Sequence, residues 1–176
     1  MENKKDQTPV QVPATGLTKL LFGKHPKRTL TRVVVLVVFT IVTFKFVLLP
    51  IRVSGVSMFP AYKDGQTLVV YRMAFARQDP QRLDVVAIKL PRYNIVLLKR
   101  IIGLPGETVS IHSGYVFING KELQEDHVKA RLPWNENPTE LGKDEYMVIG
   151  DNRAMSQIDH DYGVCLRTEI LGKVIF

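Results

Sequence analysis

The order of apolar and polar residues divides the chain into two parts. From Val33 to Ile51 the sequence reads VVVLVVFTIVTFKFVLLPI, nineteen residues in which Lys45 is the only charge. A helix rises about 1.5 Å per residue, so this run covers roughly 28 Å, close to the ~30 Å hydrocarbon core of a bilayer. We therefore predict a transmembrane anchor at residues 33–51, with Lys45 extending its amine to the interface.

Beyond Arg52 the apolar residues come in short runs that are typical of β-strands. TLVVYRM, DVVAIKL and NIVLLKRII are rich in β-branched residues, and the last is apolar enough for a strand buried on both faces. TVSIH and YVFING, joined through Ser113 and Gly114, predict a hairpin, and YMVIG and EILGKVIF predict two more strands. Residues 52–176 are therefore predicted to form a mainly β domain, with the polar stretch Gly120–Asp144 as a surface excursion.

The positive charge is concentrated around the apolar run. The whole chain carries a net charge of +7, but Met1–Lys63 has ten basic and two acidic residues, which leaves the remainder at −1. A neutral body argues against a nucleic-acid partner. The basic residues precede the anchor, so the positive-inside rule predicts that residues 1–32 are a cytoplasmic tail and that the β domain lies on the extracytoplasmic side.

A cleavable signal peptide is the alternative interpretation of the apolar run. Such a peptide has a shorter apolar core followed by a site resembling A-x-A, whereas this chain offers only Val53-Ser54-Gly55. We favour an uncleaved anchor. The single cysteine, Cys165, excludes an intrachain disulfide, and its apolar neighbours predict a small buried side chain rather than a nucleophile.

Two stretches suggest chemistry. Ser57 lies a few residues beyond the predicted anchor, and Lys99 lies inside the apolar run NIVLLKRII. A serine hydroxyl is a poor nucleophile without a base, and a buried lysine has a lowered pKa that allows it to accept a proton. Alone, Lys99 is as well explained by a strand edge and a carboxylate partner. His25, His112 and His127 lie outside any motif and are predicted to be ordinary surface residues.

Four motifs taken together resemble the type I signal peptidases. SGVSMFP, LDVVAIK, LLKRIIGLPGE and GDNRAMS occur in the order and spacing of that family of membrane-anchored serine proteases, and the resemblance covers Phe46–Gly172. It implies a fold of antiparallel β-sheets preceded by one transmembrane helix. It also implies that Ser57 is the nucleophile and Lys99 the general base of a serine–lysine dyad acting through an acyl-enzyme.

The resemblance also implies a supporting set of residues. The backbone N–H of Ser57 would form part of the oxyanion hole, and Gly55 takes the place of the serine that completes this hole in some members. Ser156 matches the serine whose hydroxyl holds the lysine amine. Asp151 and Arg100 match a charged pair that braces the site.

The chain departs from the family pattern after Ser156. Where the family has x-Asp-Ser-Arg-x-x-Gly, this chain reads QIDHDYG, with Ile158 in place of the aspartate and His160 in place of the arginine. Asp159 or Asp161 is expected to replace the missing carboxylate, and His160 the cation, which would make the support titratable near neutral pH.

The function implied by the resemblance is removal of N-terminal signal peptides from exported preproteins at the plasma or inner membrane. The partners are then signal peptides and the lipid bilayer, and no metal or other cofactor is predicted. Two alternatives stay open: a specialised peptidase for pilin, conjugation or organellar precursors, and a non-catalytic peptide-binding relative. A self-cleaving repressor is disfavoured because the chain has no Ala-Gly dipeptide.

Overall fold

The computed structural model describes residues 26–90, 95–160 and 162–175. It divides into two units, the first ending at Val42 and the second beginning at Thr43, and each is described separately. The first unit contains helix α1, Pro26–Val42. The predicted tail, residues 1–32, lies largely outside the described residues.

Helix α1 exposes its apolar side chains instead of burying them. Every large apolar side chain from Val33 to Phe39 is at least half exposed. A short π-helical turn, Thr43–Val47, follows directly, and the helical stretch Lys27–Val47 is long and apolar enough to cross a membrane. Within the described residues these side chains are not packed into a core, which fits a lipid environment.

The predicted anchor differs from the structure at its outer end, because Leu48–Arg52 form strand β1 rather than helix. This strand pairs antiparallel with β2, from Leu48 opposite Tyr71 to Arg52 opposite Thr67. Pro50 cannot donate a backbone hydrogen bond and is tolerated because β1 is the outermost strand of its sheet.

The second unit is built on a seven-stranded antiparallel sheet. Its strand order is β1-β2-β11-β3-β4-β9-β10, so the last strand of the chain lies between the β1–β2 hairpin and the β3–β4 hairpin. Its strands after β1 are β2 Thr67–Tyr71, β3 Val85–Leu90, β4 Ile95–Gly103, β9 Glu145–Ile149, β10 Gly163–Leu166 and β11 Ile170–Val174. A 3-10 turn, Arg167–Glu169, joins the last two.

A four-stranded antiparallel sheet, in the order β7-β6-β5-β8, completes the unit. Its strands are β5 Thr108–His112, β6 Tyr115–Ile118, β7 Lys121–Glu122 and β8 Glu136–Glu140. The β5–β6 hairpin turns at Ser113 and Gly114, which both have positive φ and so match a turn in which both central residues are left-handed.

The core consists of three apolar clusters. One packs the small sheet against the large one, with Val109, Ile111 and Val116 facing Ile102 and Ile149. A second lies around Val86, Ile88 and Val148, and a third around Met58, Leu68 and Val70. The third cluster anchors the segment that carries Ser57, because Met58 is 1% exposed.

The prediction of a mainly β domain is confirmed, and two details of it are wrong. The run NIVLLKRII is not buried on both faces throughout, since Ile95 and Val96 are exposed and burial begins at Lys99. The stretch Gly120–Asp144 is not merely a surface excursion, because Glu125, Val128 and Trp134 are buried within it. Asn94, at the start of the predicted strand, lies outside the described residues.

Candidate active site

Ser57 lies in a turn that follows β1. The backbone of Val53 still bonds to that of Gln66, and Gly55 then adopts φ +93°, which turns the chain toward Ser57. The Gly55 N–H donates to Asp64 Oδ1 at 2.8 Å. Ser57 is half-buried between exposed Val56 and buried Met58. The segment is therefore held by Gly55 before Ser57 and by Met58 after it, and the Ser57 side chain stays partly accessible.

Lys99 lies in the middle of β4, opposite Val86 of β3. It is 1% exposed. Burial of this extent is unusual for a lysine and disfavours the ammonium form.

Ser57 and Lys99 line one cavity of about 310 Å³. The end of β1 and the turn after it form one wall, and Ile95–Lys99 of β4 forms the other. The outer edge of β1 is unpaired, and Ile95–Lys99 pairs with β3 on one edge only, because pairing with β9 begins at Arg100. Within the described part of the chain, the cavity is thus a groove between two free strand edges.

A buried ion pair stands next to Lys99 in sequence. The Arg100 guanidinium contacts Asp151 in two places, Nε to Oδ1 at 2.8 Å and Nη2 to Oδ2 at 2.6 Å. Arg100 also donates to the Leu83 carbonyl at 2.8 Å. Burial alone would lower the pKa of Arg100, but the hydrogen bond and charge of Asp151 raise it. The pairing predicted between these two residues is thus present in the structure.

The segment Gly150–Asn152 holds the backbone of the serine turn. Asn152 donates from its backbone N to the Ser57 carbonyl at 2.9 Å and from Nδ2 to the Val56 carbonyl at 3.0 Å. A Cβ at Gly150 would lie 2.3 Å from the same Ser57 carbonyl oxygen. Only glycine permits this close approach. Gly150 and Asn152 together therefore fix the position of the Val56–Ser57 backbone.

A second buried ion pair supports this segment from behind. Arg153 is 1% exposed, pairs with Glu125 and donates from Nε to the Gly150 carbonyl at 2.9 Å. Burial lowers the pKa of Arg153 despite the opposing effect of Glu125. Sequence reasoning assigned neither residue; Arg153 lies in the GDNRAMS motif, but nothing in the sequence links it to an acidic residue 28 positions earlier.

The comparisons with known proteins agree with the motifs. The family described as signal peptidase, peptidase S26, matches residues 27–176. This chain belongs to the signal peptidase family. It is 33% identical over 123 residues to the probable signal peptidase I-2 of Synechocystis sp., covering 66% of this chain and 56% of that one.

Two further signal peptidases show how the coverage varies. The match to signal peptidase I V of Bacillus subtilis is 31% identical over 155 residues and covers 80% of this chain and 92% of the relative. The match to signal peptidase I of Leptolyngbya laminosa is 33% identical and covers 68% and 63%. The chain therefore spans less than two thirds of the length of the two cyanobacterial relatives. A solved signal peptidase I from Enterococcus faecalis V583 is 29% identical, with TM-score 0.46, covering 56% of this chain and 98% of that structure.

His160 is the main correction to the interpretation based on the signal peptidase pattern. It does not replace the arginine as a cation, because burial lowers the pKa of its imidazole to about 3, and the charge of Arg153 acts in the same direction. Its ring packs against Trp134 with the ring centres 4.8 Å apart. At neutral pH His160 is an uncharged, 2% exposed side chain.

The other residues of the segment Ser156–Gly163 with a predicted role are exposed or lie outside the described residues. Ser156 and Asp159 are exposed, and Ser156 does not line the cavity that holds Ser57 and Lys99. The role expected of Ser156 stays a prediction, as does the carboxylate role expected of Asp159. Asp161 lies outside the described residues. Ile158 is 95% exposed and supports nothing in the described part of the chain.

His127 is not the ordinary surface residue that was predicted. Its Nε2 lies 3.7 Å from Glu125 and 3.6 Å from Asp151. Burial is the largest effect on its pKa, which falls to about 4, so the imidazole is uncharged at neutral pH. His127 therefore fills the space between two buried carboxylates without forming an ion pair.

Cys165 lines a second cavity of about 180 Å³, which also reaches Lys99 and Tyr162. The thiol is buried, and burial raises its pKa to about 12. This confirms the prediction of a buried apolar cysteine.

Proposed function

We propose that this chain is a membrane-bound serine endopeptidase that removes N-terminal signal peptides from exported preproteins. One observation carries the proposal: Ser57 and the buried Lys99 line the same groove. Family membership supports the activity. The altered QIDHDYG segment is the reason to keep a non-catalytic peptide binder as the competing function.

The groove suits an extended peptide. Free backbone edges on both walls, at the end of β1 and at Ile95–Lys99, allow a substrate strand to add by main-chain hydrogen bonds. The exposed side chains of Ile95 and Val96 offer apolar surface to such a strand. A signal peptide that leaves the bilayer in extended form fits this arrangement.

The proposed reaction divides into acylation and deacylation. Neutral Lys99 removes the proton from Ser57 Oγ, which attacks the scissile carbonyl while the Ser57 N–H stabilises the oxyanion. Collapse of the intermediate breaks the C–N bond, and Lys99 gives its proton to the leaving amine. Water, deprotonated by Lys99, then attacks the ester, and Ser57 regains its proton as the signal peptide leaves with a free carboxylate.

The proposed topology places residues 1–32 in the cytoplasm and the β domain outside. Lys27, Arg28 and Arg32 lie in the first two turns of α1, and no acidic residue occurs from Gln7 to Lys63. Protease added outside right-side-out membrane vesicles is expected to reach the β domain; protection of that domain contradicts the topology.

The test is cleavage of a purified preprotein by the detergent-solubilised full chain. We expect Ser57→Ala and Lys99→Ala each to reduce cleavage by about 10³-fold or more, while both still bind the signal peptide. Mass spectrometry of rapidly quenched wild-type enzyme should show the acyl group on Ser57. Equal absence of cleavage in the wild type and both variants, with binding retained, identifies a peptide binder instead.

A further inference from the structure

Two cavities meet at the free half of β4. Leu97 and Lys99 line both the groove that holds Ser57 and the second cavity, of about 180 Å³, that contains Cys165. The proposed reaction uses the groove and gives the second cavity no role. The two residues that the cavities share make the second one continuous with the groove.

The two cavities lie on opposite faces of β4. Successive residues of a strand point to opposite faces. Leu98 packs against the core cluster that contains Met58, whereas Leu97 stands opposite Ile88, a member of the core cluster around Val86. The groove takes its apolar walls from the first of these clusters, at Ile51, Val53, Met58 and Leu98, and the second cavity takes its own from the other, at Ile88, Leu90, Val148 and Cys165.

The second cavity opens where β9 ends. Val148, the last residue but one of β9, lines it together with Gly163, its partner at the start of β10. The cavity is therefore next to the edge of β4 that β9 leaves unpaired. Val164 also lines it and is 44% exposed, so its mouth is open to solvent.

The walls of this cavity suit an uncharged, apolar side chain. The Tyr162 hydroxyl donates to Glu136 Oε2 at 2.6 Å and accepts from Gln157 Nε2 at 2.6 Å, so its polar end already has partners. Burial keeps the Cys165 thiol uncharged by raising its pKa to about 12. A cavity of about 150 Å³ can hold benzene, so this one has room for a leucine or phenylalanine side chain.

An extended peptide on the free edge of β4 reaches both cavities. Its alternate side chains point to the two faces of the sheet that it joins. The residue whose carbonyl is attacked stands at Ser57, with its side chain in the groove. The side chain of the preceding residue then points to the opposite face, where the second cavity lies.

We propose that the second cavity is a specificity pocket for the second residue before the scissile bond, and that it selects an uncharged apolar side chain of the size of leucine or phenylalanine. The inference rests on the proposed peptidase function. A substrate lysine in this pocket would lose its hydration next to the Lys99 amine. A substrate carboxylate there would favour the ammonium form of Lys99, which cannot act as a base.

The test uses the full detergent-solubilised chain and preproteins that differ only at this second residue, with leucine, asparagine, alanine, aspartate or lysine. We expect kcat/KM for the leucine preprotein to exceed that for the alanine preprotein by about 10-fold or more. Asparagine has nearly the size of leucine but is polar, and it should lose most of this advantage. Aspartate and lysine should be cleaved more slowly than alanine.

Variants of the enzyme locate the preference. Val164→Phe narrows the mouth of the cavity, and Cys165→Leu fills the cavity from its wall. In both, the ratio of leucine to alanine cleavage should fall to about twofold or less. Leu166→Phe is the matched control, because Leu166 is an exposed residue of β10 that does not line the cavity, and it should keep the wild-type ratio. Val164→Phe changes an exposed side chain, so it keeps the test valid if Cys165→Leu does not fold.

Two results overturn the inference. Cleavage by the wild type that is independent of the second residue shows that the pocket is not used. A leucine preference that persists in both Val164→Phe and Cys165→Leu places its origin elsewhere. Absence of cleavage of every preprotein overturns the proposed function instead. The affinities of the same signal peptides for Ser57→Ala then show whether the cavity selects the second residue without catalysis.

Discussion

The two halves of β4 share an apolar sequence and differ in their surroundings. Ile95–Lys99 has β3 on one edge and the open groove on the other, whereas Arg100 and Ile101 have neighbours on both edges. Exposure falls along the strand from 51% at Ile95 to 0% at Ile101, although Lys99, still in the singly paired half, is already 1% exposed. The difference shows that strand pairing, more than hydrophobicity, distinguishes the part of β4 that lines the groove from the part that lies in the core.

Arg100 marks the boundary between the two halves. It is the first residue of β4 that pairs with β9, and its side chain binds Asp151 directly after β9 ends. Because β9 leaves the sheet there, Gly150–Asn152 is free to cross to the serine turn. The end of β9 therefore leaves one edge of β4 unpaired at the groove and brings Gly150–Asn152 to the backbone of Ser57.

The largest expected effect comes from the lysine where the halves meet. Lys99→Met should reduce preprotein cleavage by about 10³-fold or more, because the general base is lost, while the melting temperature stays equal or rises because a buried amine is gone. Lys89→Met is the matched control, since Lys89 is an exposed lysine on the neighbouring strand β3, paired with Val96. Equal loss in both variants contradicts the assignment of the base.

Two identical substitutions compare the halves directly. Ile102→Ala removes side-chain atoms from a site that is 0% exposed and should lower the free energy of unfolding by about 2–5 kcal/mol. Ile95→Ala, in the exposed half, should change it by less than about 1 kcal/mol and instead raise KM. Denaturant titration measures the free energy of unfolding, and cleavage kinetics measure KM. Similar losses of stability at the two positions would contradict the difference between the halves of β4.

A smaller effect is expected on stability below pH 7. It comes from His127, in the loop next to the Arg100–Asp151 pair. His127 has a folded pKa of about 4 against an ordinary value of 6.5. Between these values the unfolded chain binds a proton that the folded chain does not, so stability falls as pH drops from about 6.5 toward 4. The charged groups around His127 are Glu125, Asp151, Arg100, Arg153 and Arg131.

The measurement is the unfolding free energy at pH 7.5 and pH 5. His127→Gln cannot take up the proton and should reduce the drop between the two pH values by about 2 kcal/mol, with little change at pH 7.5. A drop of the same size in the variant and the wild type shows that other groups cause it.

Local motifs in the sequence predict part of the candidate site. Ser57, Lys99 and the Arg100–Asp151 pair could be named because each lies in a short, recognisable run. The strands could be placed because their residues are β-branched and bounded by turns. These features are carried by neighbouring residues and need no knowledge of the three-dimensional arrangement.

The features that were missed depend on distant residues. Apolar composition cannot distinguish the end of a helix from an outer strand, so Leu48–Ile51 is predicted to belong to the anchor, whereas the structure pairs Leu48–Arg52 with β2. The burial of Glu125 depends on Arg153, and the neutrality of His160 depends on Trp134, Lys99 and Arg153. Such long-range partners leave no periodic signal in the sequence.

The position of β11 determines when Ser57 and Lys99 can come together. The hairpin that leads to Ser57 and the hairpin that bears Lys99 are not neighbours in the sheet; the strand formed by Ile170–Val174 joins them. A chain emerging from the ribosome therefore carries both groups for more than seventy residues of synthesis, about four seconds or longer at ~5–20 residues per second, before the groove has two walls. Under the proposed function, the chain therefore cannot cleave a peptide until Ile170–Val174 has paired with both β2 and β3.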